Sequence, residues 1–333
     1  MEADRVLEQV RGGELLPAGG SVVVLLSGGR DSVCLLDVAV RLCGEQGSVR
    51  ALHVNYGLRD EAPDDERRCA ELCGRLGVEL HVERPRRPEA DAIGNLQAWA
   101  RDVRYAAATR LALERGSDPA AAAAATAAVA AGHTADDQVE TILYRLASSP
   151  SRRALLGMRP RDGLLVRPLL GVTRAQTTAY CEQRGLPWSD DVTNGGDRYA
   201  RNRVRHALVP ALEQIHPAAA ANVLRTAALL RDEGEVLDAL VGEQLDERAG
   251  RFEIPLARLA GLPPALRRLV VQRLADSAAG KLVPGAARHA DEVAALRRSG
   301  RAMLDLGGGV CAVAEQGVLR AERGSGRHTG AKT

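Results

Sequence analysis

Along residues 20–150 the apolar positions switch between two periods. A solid run, Val22-Val23-Val24-Leu25-Leu26, precedes the polar turn Ser27-Gly28-Gly29-Arg30-Asp31-Ser32, and apolar positions at helical spacing follow over 33–40. That order predicts a buried strand, a tight turn and a helix. Further strands are predicted over 49–54, over 78–82 and, from small residues alone, over 127–131 at the end of an Ala-rich insertion at 118–131. Helices fall between them. One is started by Pro63 with the acidic first turn Asp64-Asp65-Glu66, one is capped by Asn95 and runs to about 114, and one opens at 132–137 and runs to about 146. Strands and helices alternating at these lengths predict parallel βαβ units.

Beyond residue 150 the rhythm changes. A short strand over 164–166 and a helix capped by Thr173 come first, and an Arg-rich segment follows Asp197. Leu-rich amphipathic runs at 223–245 and 265–274 then alternate with strand-like stretches at 252–254, 303–306 and 309–319. The chain therefore reads as an α/β domain over 1–215, a Rossmann-like parallel twisted sheet with helices on both faces. A small helical α+β domain follows over 216–321. Residues 322–333, rich in Gly, Ser, Arg and Thr, read as a disordered tail.

Composition narrows the picture. Aromatic residues make up 2% of the 333 and Phe occurs once, so the core must be Leu, Val and Ala. No apolar run approaches a membrane span and charged residues follow Met1, so a soluble, cytoplasmic protein without a membrane partner is expected. The six cysteines lack a C-x-x-C pair and zinc-like spacing, and read as reduced packing residues. Net charge is +2, but residues 1–150 carry −6 and residues 151–333 carry +8. The basic half suits a polyanion, or equally a solvated surface in a chain with 43 Arg and 2 Lys.

Three polar stretches stand at predicted strand ends, where parallel sheets bind their ligands. In 27–32, glycine turns and the N–H groups and dipole of the next helix make an anion cradle, with Ser27 and Ser32 as hydroxyl donors. Asp31 would repel a phosphate there unless a Mg²⁺ lies between them; the alternative is that it simply starts the helix as a cap. In Gly132-His133-x-x-Asp136-Asp137-x-x-Glu140-Thr141, carboxylates beside a phosphate loop fit a metal that neutralises a departing pyrophosphate. His133 could bond a nucleotide group or stabilise developing charge. In His53-Val54-Asn55-Tyr56-Gly57-Leu58-Arg59 the backbone could read adenine and Arg59 could reach phosphates. Arg101 and Arg104 share a helix face beside Tyr105 and suit a phosphate or nucleic-acid backbone, or a solvated face.

S-G-G-x-D-S at 27–32 is the signature of the PP-loop ATP pyrophosphatases, and implies ATP cleaved between its α- and β-phosphates. It is followed in order by H-V-N-x-G-L-R, A-R-x-x-R-Y, G-H-x-x-D-D-x-x-E-T and R-P-L-L. Trp188-Ser189-Asp190-Asp191-x-Thr193-Asn194 and Tyr199-Ala200-Arg201-Asn202-Arg203-Val204-Arg205 come next. With these the chain resembles the tRNA(Ile)-lysidine synthetases over about 20–215, in their short form. The resemblance implies ATP and Mg²⁺ as cofactors, with tRNA(Ile) bearing a CAU anticodon and free L-lysine as partners. ATP adenylates the wobble cytidine, pyrophosphate leaves, and the lysine ε-amine displaces AMP. It also implies roles. Ser27, Gly28, Gly29, Arg30, Asp31, Ser32, His53 and Arg59 hold ATP. Asp31, Asp136 and Asp137 are the metal and catalytic acids, with His133 assisting. Arg101, Arg104, Asp190, Asn194, Arg201, Asn202 and Arg205 line the lysine and tRNA side. Oligomeric state is left open, with a homodimer as one option.

The chain departs from the family pattern near Gln97, where a Glu is usual, and at Tyr56, where a second His is usual. It departs again at Ala147-Ser148-Ser149-Pro150-Ser151, in place of a glycine-rich turn, and at Thr193. A tRNA thiolase of the same superfamily is the nearest alternative, though its chemistry calls on paired cysteines or an iron–sulfur cluster. A catalytically silent tRNA binder would have no use for Asp31, Asp136 and Asp137.

Overall fold

After an N-terminal helix α1 (Glu2–Gly12), the apolar run becomes strand β1 (Ser21–Leu25) and the segment past the glycine turn becomes helix α2 (Arg30–Cys43). The computed structural model describes residues 2–58, 61–86, 96–114, 127–148, 152–189, 200–248, 250–297 and 299–324. The chain divides into two units, Met1–Ala228 and Leu229–Thr333.

The first unit continues with β2 (Ser48–Val54), α3 (Ala62–Leu76), β3 (Glu79–Glu83), α4 (Leu96–Leu113), β4 (Ala128–Ala130), α5 (Ala135–Ser148) and α6 (Arg152–Leu155). It then runs through β5 (Arg161–Asp162), β6 (Leu165–Val166), α7 (Arg174–Arg184), α8 (Ala200–Arg203), a π-helical turn at Val204–Leu208 and α9 (Val209–Ile215). The strands form one sheet in the order β3-β2-β1-β4-β6-β5, parallel except for the β5–β6 pair. β1 is central, with Val23 opposite Arg50 on one side and Val129 on the other.

Successive β1 side chains serve different cores. Val22 and Val24 pack with residues of α1, α2, α3 and α7, while Val23 and Leu25 pack with Ala107, Ala108, Leu111 and Ala112 of α4. Burial on both faces is why β1 reads as an unbroken apolar run instead of an alternating one. Each buried Val or Leu contributes roughly 1.5–3 kcal/mol, so many small contributions replace the missing aromatics. The predicted cap at Thr173 is a capping box: the Gln176 N–H donates to Thr173 Oγ1 at 3.2 Å, and the Thr173 N–H donates to Gln176 Oε1 at 2.9 Å.

Helix α10 (Ala219–Gln244) contains the border between the units. The second unit follows as β7 (Asp246–Arg248), β8 (Arg251–Pro255), α11 (Leu256–Gly261), α12 (Pro264–Ala279), α13 (Ala290–Ala294), β9 (Arg301–Gly307), β10 (Val310–Glu315) and β11 (Val318–Arg323). Its strands make an antiparallel sheet, β7-β8-β11-β10-β9. Alternate β10 residues Val310, Ala312 and Ala314 pack with Val270, Val271 and Leu274 of α12. Glu322 and Arg323, read from composition as tail, are strand: they pair with Cys311 and Val310. Ladder hydrogen bonds outweigh the local polar composition there. Among the described residues no helix is long and apolar enough to cross a membrane.

Candidate active site

The carboxyl ends of β1, β2 and β4 open into one cleft of about 850 Å³. Its lining includes Ser27, Gly29, Arg30, Asp31 and Ser32 after β1, His53 to Leu58 at the end of β2, and Gly132, His133 and Asp137 after β4. Of the two glycines in the first loop only Gly28 takes a left-handed turn, at φ +85°; Gly29 is extended, φ −73° and ψ 153°, at the N-cap of α2. The loop braces itself. Ser32 Oγ donates to Gly29 O at 2.7 Å and accepts from Ser27 N at 3.2 Å, and the two seryl oxygens lie 3.1 Å apart. First-turn N–H groups of α2 at Arg30 and Asp31 have no intrahelical acceptor, as at any helix start.

Gly132 places the second loop directly on the first. A Cβ there would stand 3.1 Å from the Asp31 carbonyl carbon and oxygen and 3.2 Å from Ser32 N. A side chain there would press on this backbone and push it back by a few tenths of an ångström. Thr134 then caps α5: its N–H and hydroxyl donate to Asp137 Oδ2 at 2.8 and 3.0 Å. Asp137 Oδ1 receives Arg174 Nη2 at 2.7 Å, and Arg174 Nη1 reaches Glu140 Oε1 at 2.8 Å. Burial opposes ionisation of Asp137, but Arg174 and the Thr134 N–H outweigh it and lower its pKa. Burial likewise opposes the charge of Arg174, yet Glu140, Asp137 and Asp136 raise its pKa. Asp31 differs. Burial raises its pKa, the Asp137 charge adds to the rise, and a 2.5 Å hydrogen bond from Thr177 Oγ1 opposes it.

Asp136 does not line the cleft; its Oδ2 accepts the Arg174 backbone N–H at 2.8 Å. His53 is buried, with Nδ1 donating to Leu26 O at 3.0 Å, so its ring ties the ends of β1 and β2 together. His133 has a buried Nδ1 without a partner. Burial, with Arg167, Arg201 and Arg104 overriding Asp137, lowers its pKa to about 4, so its imidazole is neutral at pH 7. Arg104, Tyr105 and Arg205 line the cleft. Arg101 and Arg104 sit 5.2 and 5.4 Å from the Tyr105 ring centroid. Arg201 donates to Thr141 Oγ1, and Arg205 Nε stands 3.8 Å from Glu140. Asn202 lies on α8, outside the cleft lining. Arg59, Asp190 and Asn194 lie outside the described residues.

Sequence reasoning missed Arg174 and Thr177, which hold three acidic side chains from across the cleft. One signal was present: an Arg in the first turn of a helix opposes the helix dipole and asks for a local anion.

Residues 5–212 match the family described as the PP-loop domain. The tRNA(Ile)-lysidine synthase of Thermobifida fusca is 39% identical over 306 residues, 88% of this chain and 89% of that protein. The protein of the same name from Gloeobacter violaceus is 37% identical over 78% of each chain. That from Dehalococcoides mccartyi is 34% identical over 88% of this chain, which spans only 64% of that relative's length. Among solved structures, the U34-tRNA thiolase NcsA of Methanococcus maripaludis superposes with a TM-score of 0.55 at 18% identity, over 69% of this chain and 80% of that one. This last likeness is one of fold. The chain belongs to the tRNA(Ile)-lysidine synthase family and is built on its PP-loop domain.

Proposed function

We propose that this protein joins free L-lysine to the wobble cytidine of tRNA(Ile) with a CAU anticodon, in the cytoplasm, at the expense of ATP. The loop at 27–32 takes the phosphates of ATP, and the ATP α-phosphorus is attacked by the cytidine carbonyl oxygen. Pyrophosphate leaves toward the N-terminus of α2. Lysine nitrogen then forms a bond to the activated ring carbon, whose bond to the AMP oxygen breaks. Neutral His133, with its free Nδ1, is suited to hold a nucleotide group by a hydrogen bond without competing for the positive charge of Arg104. The observation that carries the reading is the backbone contact of Gly132 on Asp31, which puts a phosphate loop and a carboxylate-bearing helix start in one cleft.

The donor set suits Mg²⁺. Asp31 and Asp137 line the same cleft, and the charge of one raises the pKa of the other, a repulsion that a cation would relieve. These two residues would hold the ion, with phosphate oxygens completing its shell, and the ion would supply charge neutralisation for the leaving pyrophosphate. Asp136 is not placed among these ligands.

Sulfur transfer finds no support. No cysteine lines the cleft, and Cys34, Cys43, Cys69, Cys73 and Cys181 are buried. Burial pushes the Cys69 and Cys73 thiols up to about 12 and about 11, which leaves them protonated and weakly nucleophilic. The reading is tested by incubating the chain with ATP, Mg²⁺, lysine and an unmodified tRNA(Ile) transcript. AMP and pyrophosphate released only when the transcript is present are expected. Release of ADP and phosphate would refute it.

A further inference from the structure

Helices α5 and α7 begin side by side, and their first turns bind one another. The Ala135 N–H, at the start of α5, donates to Val172 O, just ahead of α7, at 2.8 Å. In return Asp136 Oδ2, in the first turn of α5, accepts the Arg174 N–H at 2.8 Å. Arg174 is the first residue of α7, so this N–H is one of those a helix cannot satisfy internally. Thr173 Oγ1 accepts another, from Gln176. The Asp136 carboxylate is therefore a cap supplied by a different helix, and its charge lies at the positive end of the α7 dipole. Against the effect of burial, Glu140, Asp137 and Asp136 together raise the pKa of Arg174, so Asp136 also helps to hold that charge.

The acid side of the cleft hangs from this first turn of α7. Arg174 bonds Asp137 Oδ1 through one nitrogen and Glu140 Oε1 through another, and Thr177 Oγ1 donates to Asp31 Oδ1 at 2.5 Å. Thr177 is fully buried, and its hydroxyl oxygen also stands 3.0 Å from Arg174 O, so its place follows the backbone of that turn. Asp31 and Asp137 line the cleft, and Asp136 does not. We propose that Asp136 is a positioning residue: it caps α7 from α5 and so sets the places of Arg174 and Thr177, which hold Asp137 and Asp31 in the cleft. This rests on the reading of the cleft as a site for ATP and Mg²⁺, and it gives Asp136 a task different from that of its neighbour.

Asparagine separates the two tasks. Its amide oxygen accepts a helix N–H about as well as a carboxylate does, but it lacks the charge that a Mg²⁺ ligand supplies. The full chain is compared with Asp136→Asn, Asp136→Ala and Asp137→Asn by calorimetric titration with Mg²⁺ and ATP, well below the melting temperature of each folded variant. Expected are an affinity for Asp136→Asn within about twofold of the parent, a loss of about fivefold for Asp136→Ala, and a loss of about tenfold or more for Asp137→Asn. Recovery by asparagine of what alanine loses is the mark of a cap. A folded Asp136→Asn that loses as much as Asp137→Asn makes Asp136 a metal ligand and overturns the proposal, and this arm decides even if Asp136→Ala does not fold. Parental affinity in Asp136→Ala overturns it as well, because the cap would then set nothing in the cleft. A parent chain that binds no ATP in the presence of Mg²⁺ refutes the functional reading and the proposal together.

Discussion

The acids and the arginines of the first unit are treated in opposite ways. Asp137 and Glu140 share Arg174, Asp136 takes its backbone N–H, and Asp31 receives Thr177. Each acid has a partner supplied by α7. The arginines about Tyr105 (Arg101, Arg104, Arg145, Arg167 and Arg201) have backbone carbonyls, a ring face and a hydroxyl, and no ion pair with a carboxylate among the described residues. The acids are therefore held by partners within the fold before any ligand arrives, and the arginines are not. Removing the partner of the acids should act through stability, and removing one of these arginines through binding.

The largest effect is expected at Arg174. Its side chain is 16% exposed, and Arg174→Ala leaves Asp137 and Glu140 buried and unpaired. The cost is roughly 3–5 kcal/mol. That lowers the melting temperature by on the order of 10 °C, as calorimetry would read. An unchanged melting temperature would break the contrast.

His133 gives the next largest effect, and it depends on pH. Its pKa is about 4 in the folded chain against an ordinary 6.5, so between these values the unfolded chain binds the extra proton. Stability is therefore full above pH 6.5 and falls as pH drops toward 4, by up to about 3 kcal/mol. His133→Asn should lose this slope in a series of melts from pH 7 to pH 4.5. A variant with the parent's slope would show that other groups carry it.

Arg205 sharpens the comparison with the smallest effect. It lines the cleft but already stands 3.8 Å from Glu140. Arg205→Ala should weaken tRNA binding by about threefold in a filter-binding assay, less than Arg101→Ala, since Arg101 makes no ion pair among the described residues. A larger loss at Arg205 than at Arg101 would reverse the ranking.

Much of this was legible in the chain itself, because it is written in local pattern. β1 and the turn after it followed from an apolar run meeting Ser-Gly-Gly, and the N-cap of α7 followed from Thr173. Even β4, three small residues, was legible from its place before Gly132. What was not legible depends on pairing across the fold. Arg174 meets Asp137 over 37 positions of sequence, and Arg145 and Arg167 are two among 43 arginines with nothing local to mark them. The metal reading took Asp136 and Asp137 as equivalent neighbours. Successive residues on a helix point about 100° apart, and here only Asp137 reaches the cleft. Gly28 and Gly29 were likewise indistinguishable until their backbones were seen.

The central claim is that the cleft at the carboxyl ends of β1, β2 and β4 attaches lysine to a tRNA base. Radiolabelled lysine is supplied with ATP, Mg²⁺ and unmodified tRNA(Ile), and the label retained on the RNA is counted for the parent and for Asp137→Asn, with binding of the same tRNA measured alongside. The account predicts label on the tRNA with the parent, in step with AMP release, and almost none with Asp137→Asn at unchanged tRNA affinity. ATP consumed by the parent with no label on the tRNA, or full labelling by Asp137→Asn, would contradict it.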